Sequence, residues 1–170
     1  MRNIELKARL SSYATAESIC EAINAEFAED IQQTDTYFSC ENGRLKLREC
    51  EPGDDYLVFY TRPDVAELKA SDYEIQYVDA GVKDLLERAY GVLRVVEKVR
   101  GLWHWENVRI HLDRVKGLGT FIEFEAVLSE EFDDEDGFRK LSFLQETFGI
   151  EDGDLLDVSY AGLVSDSAGD

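Results

Sequence analysis

The sequence predicts an α+β fold: an antiparallel eight-stranded β-barrel with a polar interior and amphipathic helices packed outside. Three observations carry this expectation. Seven or eight segments show a period-two pattern, only three show helical periodicity, and in several strands the polar face is ionic rather than merely hydrophilic. Successive side chains of a strand point to opposite faces, so an ionic face repeated from strand to strand reads as the lining of a closed sheet.

The first strand, 2–10, sets Ile4, Leu6, Ala8 and Leu10 against Asn3, Glu5, Lys7 and Arg9. A helix is expected over 15–29, where Ile19, Ile23 and Phe27 recur every four residues. Strands follow at 33–41 and 43–50, the latter alternating Arg44, Lys46 and Arg48 with Leu45 and Leu47. Two more are expected at 56–62 and 71–78. The segment 79–90, with Val82, Leu85, Leu86 and Ala89, reads as a helix stopped by Gly91. The strand 93–103 sets Lys98 and Arg100 two apart, and 106–115 alternates Asn107, Arg109, His111 and Asp113 with Val108, Ile110 and Leu112. In 119–128, Glu123 and Glu125 oppose Ile122, Phe124 and Ala126. A last helix, 134–148, carries Phe138, Leu141, Leu144 and Phe148 before Gly149. The expected organisation is one domain over 1–164 and a disordered tail over 165–170.

With 18 Lys+Arg against 37 Asp+Glu in 170 residues, the formal charge is −19. So negative a surface repels nucleic acid and anionic membranes, and no run approaches the 18 apolar residues of a membrane span. Charges at Glu5, Lys7 and Arg9 fall where a signal peptide needs an apolar stretch, and Cys20, Cys40 and Cys50 form no CxxC pair. A cytoplasmic location with reduced thiols is expected.

Against that background the basic residues are concentrated. Nine of the 18 lie in the stretches 3–9, 44–48, 60–62, 98–100 and 107–113, about one seventh of the chain. Arg44, Lys46 and Arg48 on one strand face are three like charges in a row, which costs repulsion unless an anion relieves it. Turned inward together with Glu5, Asp113, Glu123 and Glu125, they describe a tunnel for a ligand with several negative charges and for divalent cations. A polyphosphate with Mg²⁺ or Mn²⁺ meets both demands, because Arg forks match phosphate oxygens and carboxylates hold the metal.

The segments NIELKARL at 3–10, TDTYF at 34–38, RLKLRE at 44–49, YTRPD at 60–64, SDYEI at 71–75, EKVRGLW at 97–103, VRIHLDRVKGLGTFIEFEAVL at 108–128 and SYAGLV at 159–164 resemble the CYTH family. These are triphosphate tunnel metalloenzymes, which include class IV adenylyl cyclases, thiamine triphosphatases and inorganic triphosphatases. The order of the segments is similar to the bacterial, cyclase-like branch. The resemblance implies metal binding by Glu5, Glu123, Glu125 and Asp113, with one or two Mg²⁺ or Mn²⁺ ions. It implies a triphosphate cradle of Lys7, Arg44, Lys46, Arg48, Arg62, Lys98, Arg100 and Arg109, with Lys7 and Glu5 as the catalytic pair. One departure stands out: the family's first-strand ExExK begins here with Asn3, which supplies no charge and leaves a second metal site in doubt.

The implied activity is conversion of ATP to cyclic AMP and pyrophosphate. The alternatives are hydrolysis of an inorganic or organic (thiamine-type) triphosphate at the same site, or polyphosphate or nucleotide binding without catalysis. Lys7 is read as a phosphate contact ahead of a proton acceptor, and His111 as a hydrogen-bonding residue beside the site. His104 is read as a strand-end residue, and Tyr37, Tyr60 and Tyr73 as core or tunnel wall. The expected ligand is a nucleoside triphosphate or inorganic triphosphate, and a homodimer is possible.

Overall fold

The computed structural model describes residues 2–60, 69–79, 81–156 and 160–166. The eight strands are β1 (Arg2–Arg9), β2 (Glu26–Phe38), β3 (Arg44–Glu51), β4 (Tyr56–Tyr60), β5 (Lys69–Tyr77), β6 (Val92–Trp105), β7 (Val108–Val115) and β8 (Gly119–Val127). They are antiparallel and close into a barrel in the order β1-β5-β4-β3-β2-β6-β7-β8. Closure falls on β1, which pairs with β8 from Asn3↔Val127 to Arg9↔Phe121 and with β5 from Arg2↔Asp72 to Glu5↔Lys69. The helices are α1 (Tyr13–Ala22), α2 (Val82–Tyr90), α3 (Asp134–Thr147) and α4 (Tyr160–Asp166).

The larger apolar core lies on the outer face of the sheet. Ile4, Leu6 and Ala8 of β1, Val108, Ile110 and Leu112 of β7, and Ile122, Phe124 and Ala126 of β8 are buried beneath Ala16 and Cys20 of α1 and Leu141 and Leu144 of α3. Burying this face removes apolar surface from water and leaves the alternate residues to face the lumen. α3 comes close because position 137 is glycine: a Cβ there would sit 2.9 Å from Ile4 Cδ1 and 3.1 Å from Leu128 Cδ2. Asp133 caps α3, accepting from the Asp136 N–H at 2.9 Å.

Three elements differ from the sequence expectation. α1 ends at Ala22 rather than running to 29, because Asn24 adopts the left-handed conformation (φ 57) and turns the chain into β2. Phe27 therefore belongs to a strand and packs edge-on against Trp103, with ring centroids 5.1 Å apart. α2 is amphipathic in sequence but buries no residue; Leu85 is 64% exposed, and the helix is tied to β3 by Lys83 and Glu49 at 2.7 Å. α4 occupies a segment read partly as tail, and it packs across one end of the lumen instead of covering the outside. Its Tyr160 and Ala161 are buried with the inward-facing Tyr37, Val96, Val115 and Phe121. The chain before it is held to β1 by the Leu156 N–H, which donates to the Lys7 carbonyl at 2.9 Å. Among the described residues no helix is long and apolar enough to cross a membrane.

Candidate functional site

A cavity of about 270 Å³ occupies the lumen, lined by residues from all eight strands and by Tyr160 of α4. Among the described residues six cations face it: Lys7, Lys46, Arg48, Lys98, Arg100 and Arg109. Four carboxylates among the described residues face it as well: Glu5, Asp35, Glu123 and Glu125. Among the described residues the lining side chains from β4 and β5 are uncharged, namely Tyr56, Val58, Tyr60 and Ile75. The cavity thus has an ionic sector and an aromatic-aliphatic wall.

Strand register decides which charges meet. Across β2 and β3, Asp35 is level with Arg48, whose Nε and Nη2 each donate to one carboxylate oxygen at 2.6 Å; Lys46 adds a contact at 3.2 Å. Burial works against the charged carboxyl, yet Arg48 and Lys46 hold Asp35 well below the usual carboxylate range. This is how the row of like charges on β3 is tolerated.

Across β6 and β7, Arg100 is level with Asp113. Asp113 is fully buried; it accepts from Arg100 Nε and Nη2 and from the Tyr160 hydroxyl, each at 2.8 Å, and from Lys98 at 3.4 Å. Despite the opposing effect of burial, Arg100 and Lys98 hold its carboxyl far down. Arg100 Nη2 also reaches Glu123 at 2.9 Å. For Lys98, burial and then Arg100 outweigh Asp113 and lower the amine to about 7. For Lys46, burial and Arg48 lower it to about 8. Two amines of the cavity therefore hold their protons loosely near neutral pH.

Across β7 and β8, His111 is level with Glu123 and Arg109 with Glu125; across β1 and β8, Lys7 is level with Glu123 and Glu5 with Glu125. Lys7 Nζ lies 3.5 Å from Glu123 and 4.3 Å above the Tyr160 ring, and Arg109 meets Glu125 at 2.8 Å. Burial raises Glu123, but Lys7, the neighbouring His111 ring and Arg100 together hold it well below the usual range. The His111 imidazole is pushed down by burial and by Arg100, which favours its neutral form. Its ring, with Glu123 and Glu125, brings three ligand atoms within 4.8 Å of one another. Two carboxylates and a neutral imidazole nitrogen form a donor set that fits a divalent cation.

The structure brings together Glu5, Lys7, Lys46, Arg48, Lys98, Arg100, Arg109, Glu123 and Glu125 from the residues that the sequence singles out. Arg44 heads the same face of β3, level with Tyr60, beyond the cavity lining. Arg9 sits at the rim, its guanidinium 5.6 Å over the Phe121 ring. Arg62 lies outside the described residues. Asp113 stands behind the lining with its oxygens directed at Arg100, Lys98 and Tyr160, and His111 takes the place beside Glu123 and Glu125. Asn3 is fully buried one inward step beyond Glu5.

Two contributors went unread in the sequence. Asp35 shares a predicted strand face with Gln33 and Tyr37; a basic face on 43–50, one short turn away, is the signal that an acid should oppose it. Tyr160 carries no such signal, since its role arises from contact with a residue 47 positions away.

No curated protein sequence matches the chain. Among solved structures, the PH1012 protein of Pyrococcus horikoshii is 25% identical, with a TM-score of 0.84 over 95% of this chain and 98% of that one. A candidate adenylate cyclase from Vibrio parahaemolyticus is 22% identical, with a TM-score of 0.79 over 96% of this chain and 97% of its own. A candidate adenylyl cyclase from Hippeastrum, described as having a dominant triphosphatase activity, is 18% identical, with a TM-score of 0.64 over 87% of this chain and 88% of its own. The CYTH domain model matches residues 1–160, nearly the whole length over which the ionic lumen is built, and the chain belongs to the CYTH family.

Proposed function

We propose that the protein is a divalent-metal-dependent enzyme acting on a nucleoside triphosphate, forming cyclic AMP and pyrophosphate from ATP. The observation that carries this reading is the divided cavity: six cations in one sector and Tyr56, Val58, Tyr60 and Ile75 along the wall. A ligand with a chain of phosphates at one end and a flat organic group at the other suits both sectors, because guanidinium and ammonium groups grip phosphate oxygens and aromatic rings pack against a base. Membership of a family of metal-dependent enzymes acting on triphosphates supports it.

In this reading Lys46, Arg48, Lys98 and Arg100 bind the phosphates and hold the chain for in-line attack, and Arg109 and Lys7 approach from the Glu123–Glu125 side. Catalysis is then mostly positioning and electrostatics. A divalent cation held by Glu123 and Glu125, with Glu5 beside them, would neutralise charge on phosphate oxygens and lower the pKa of the attacking hydroxyl. The ribose 3′-hydroxyl attacks the α-phosphorus, its proton passes to a lysine amine, and pyrophosphate leaves. Lys7, 3.5 Å from Glu123 on the side that would hold the metal, is the amine that accepts that proton.

A second reading, hydrolysis of inorganic or thiamine-type triphosphate, draws on the ionic sector alone, since all six cations address phosphates whatever group is attached. Phosphorus NMR of purified protein given ATP, and separately tripolyphosphate, with Mg²⁺ and with Mn²⁺, separates them. A cyclic phosphodiester with pyrophosphate is the expected result. Orthophosphate from tripolyphosphate without cyclic product would select hydrolysis, and binding without turnover in every tube would make the protein a non-catalytic binder.

A further inference from the structure

Most polar side chains that face the lumen have a partner of opposite charge, and His111 departs from that pattern. It is 4% exposed, and its Nδ1 is buried with no hydrogen-bond partner among the described residues. Leaving a buried nitrogen unsatisfied is costly, and such groups in a native fold call for an explanation. The donors nearby, Arg100 and Lys7, turn to carboxylates instead.

The ring stands between two carboxylates. Nδ1 lies 3.6 Å from Glu123 Oε2, and Nε2 lies 3.9 Å from Glu125 Oε2. These separations exceed a good hydrogen bond. A ring gives one nitrogen to a given ion, and one His111 nitrogen lies with one oxygen of each glutamate inside a span of 4.8 Å, near the roughly 3 to 4 Å that bonds of about 2.1 Å set between neighbouring ligands. The strands fix this arrangement: His111 and Glu123 are level across β7 and β8, and Glu125 follows two residues on along the same face.

We propose that His111 is a nitrogen ligand of the metal site formed with Glu123 and Glu125, and that the site therefore selects Mn²⁺, Co²⁺ or Zn²⁺ over Mg²⁺. The inference rests on the metal-dependent reading above and adds the identity of the ion. Mg²⁺ is a hard cation that takes oxygen ligands and gives up its water reluctantly, so an imidazole contributes little to holding it. Mn²⁺, Co²⁺ and Zn²⁺ accept nitrogen readily, with affinity rising along the divalent series. A carboxylate-only site would discriminate far less.

Pulsed EPR on the Mn²⁺-loaded full chain tests this directly. The expected spectrum shows a nitrogen coupling that changes from ¹⁴N to ¹⁵N when the protein carries [¹⁵N]histidine, and the exposed His104 is excluded as its source if His104→Asn retains the coupling. His111→Asn should lose the coupling and weaken Mn²⁺ binding by about tenfold or more, with Mg²⁺ binding changed less than about threefold. Mn²⁺ that binds without histidine coupling, or a variant that weakens both ions equally, overturns the inference and leaves the metal-dependent reading intact. No Mn²⁺ binding with or without tripolyphosphate overturns both. The labelled wild-type spectrum needs no variant, so a misfolded His111→Asn does not block the test.

Discussion

Asp113→Asn is the most informative single change, because it separates a carboxylate that organises cations from one that holds a metal. Asp113 is fully buried and receives Arg100 at two points, Lys98 and the Tyr160 hydroxyl. Removing one partner of a buried pair costs about 3–5 kcal/mol, since the other charge is left without compensation. Two features place the cost at the lower end: Arg100 keeps Glu123 at 2.9 Å, and Lys98, at about 7, sheds its proton readily. A loss of about 3 kcal/mol corresponds to a fall in Tm of roughly 6–12 °C for a chain of this size. Thermal unfolding would be followed with and without saturating tripolyphosphate. An anion that occupies the ionic sector supplies the missing counter-charge, so the gap between wild type and variant should narrow when it is bound. The exposed pair Asp30–Arg114, 3.7 Å apart, serves as a control, and Asp30→Asn should leave Tm within about 1 °C. A fall of less than about 2 °C in Asp113→Asn, or a gap that tripolyphosphate leaves unchanged, would refute the reasoning.

Lys46→Met should weaken tripolyphosphate binding by about 1.5–3 kcal/mol, roughly 10- to 150-fold by calorimetry, while Asp35 keeps both its Arg48 contacts and the fold survives; unchanged affinity would remove Lys46 from the cradle. Bound phosphates should also raise the lowered amines of Lys98 (about 7) and Lys46 (about 8), so binding at pH 8 takes up protons and affinity falls as pH climbs through 7 to 8. Calorimetry in buffers of different ionisation heat reads this uptake, after the ligand's own ionisation is subtracted, and zero uptake would contradict it. The same two lysines bind fewer protons folded than unfolded between about pH 7 and their ordinary values near 10.4, so they should make the ligand-free fold more stable from pH 7 to 9. Denaturant titrations at the two pH values check the sign.

The barrel was legible because its pattern is local. Alternation on β1, β3, β7 and β8 separates an apolar from an ionic face within each strand, and closing the sheet is the one arrangement that hides every ionic face from the outer core. The first half of β2 was not legible: Glu26 to Asp30 are all exposed, so no buried face imposes a period, and Ile19, Ile23 and Phe27 happen to continue the helical spacing across the turn at Asn24. α4 was missed for the opposite reason. Seven residues carry too little periodicity to read, and what holds them is a lumen assembled from strands far away in sequence.

The candidate site divides the same way. Which residues face inward follows from parity along a strand, and that was readable. Which acid meets which base follows from register, set by turn lengths that put Asp35 level with Arg48 and Arg100 level with Asp113. Register also gives the lumen its chemistry. Glu123 and Glu125 are bound by Arg100, Lys7 and Arg109, the same cations that phosphates would recruit. Under the proposed function, an entering triphosphate draws those cations away and leaves the two carboxylates charged, buried and short of partners beside His111. Buried uncompensated carboxylates are costly, and a divalent cation relieves them. Triphosphate and metal then each improve the other's site by an equal factor, since coupling between two binding equilibria is reciprocal. The ion pairs of the ligand-free lumen thus keep both sites folded, and each ion binds more tightly once the other is in place.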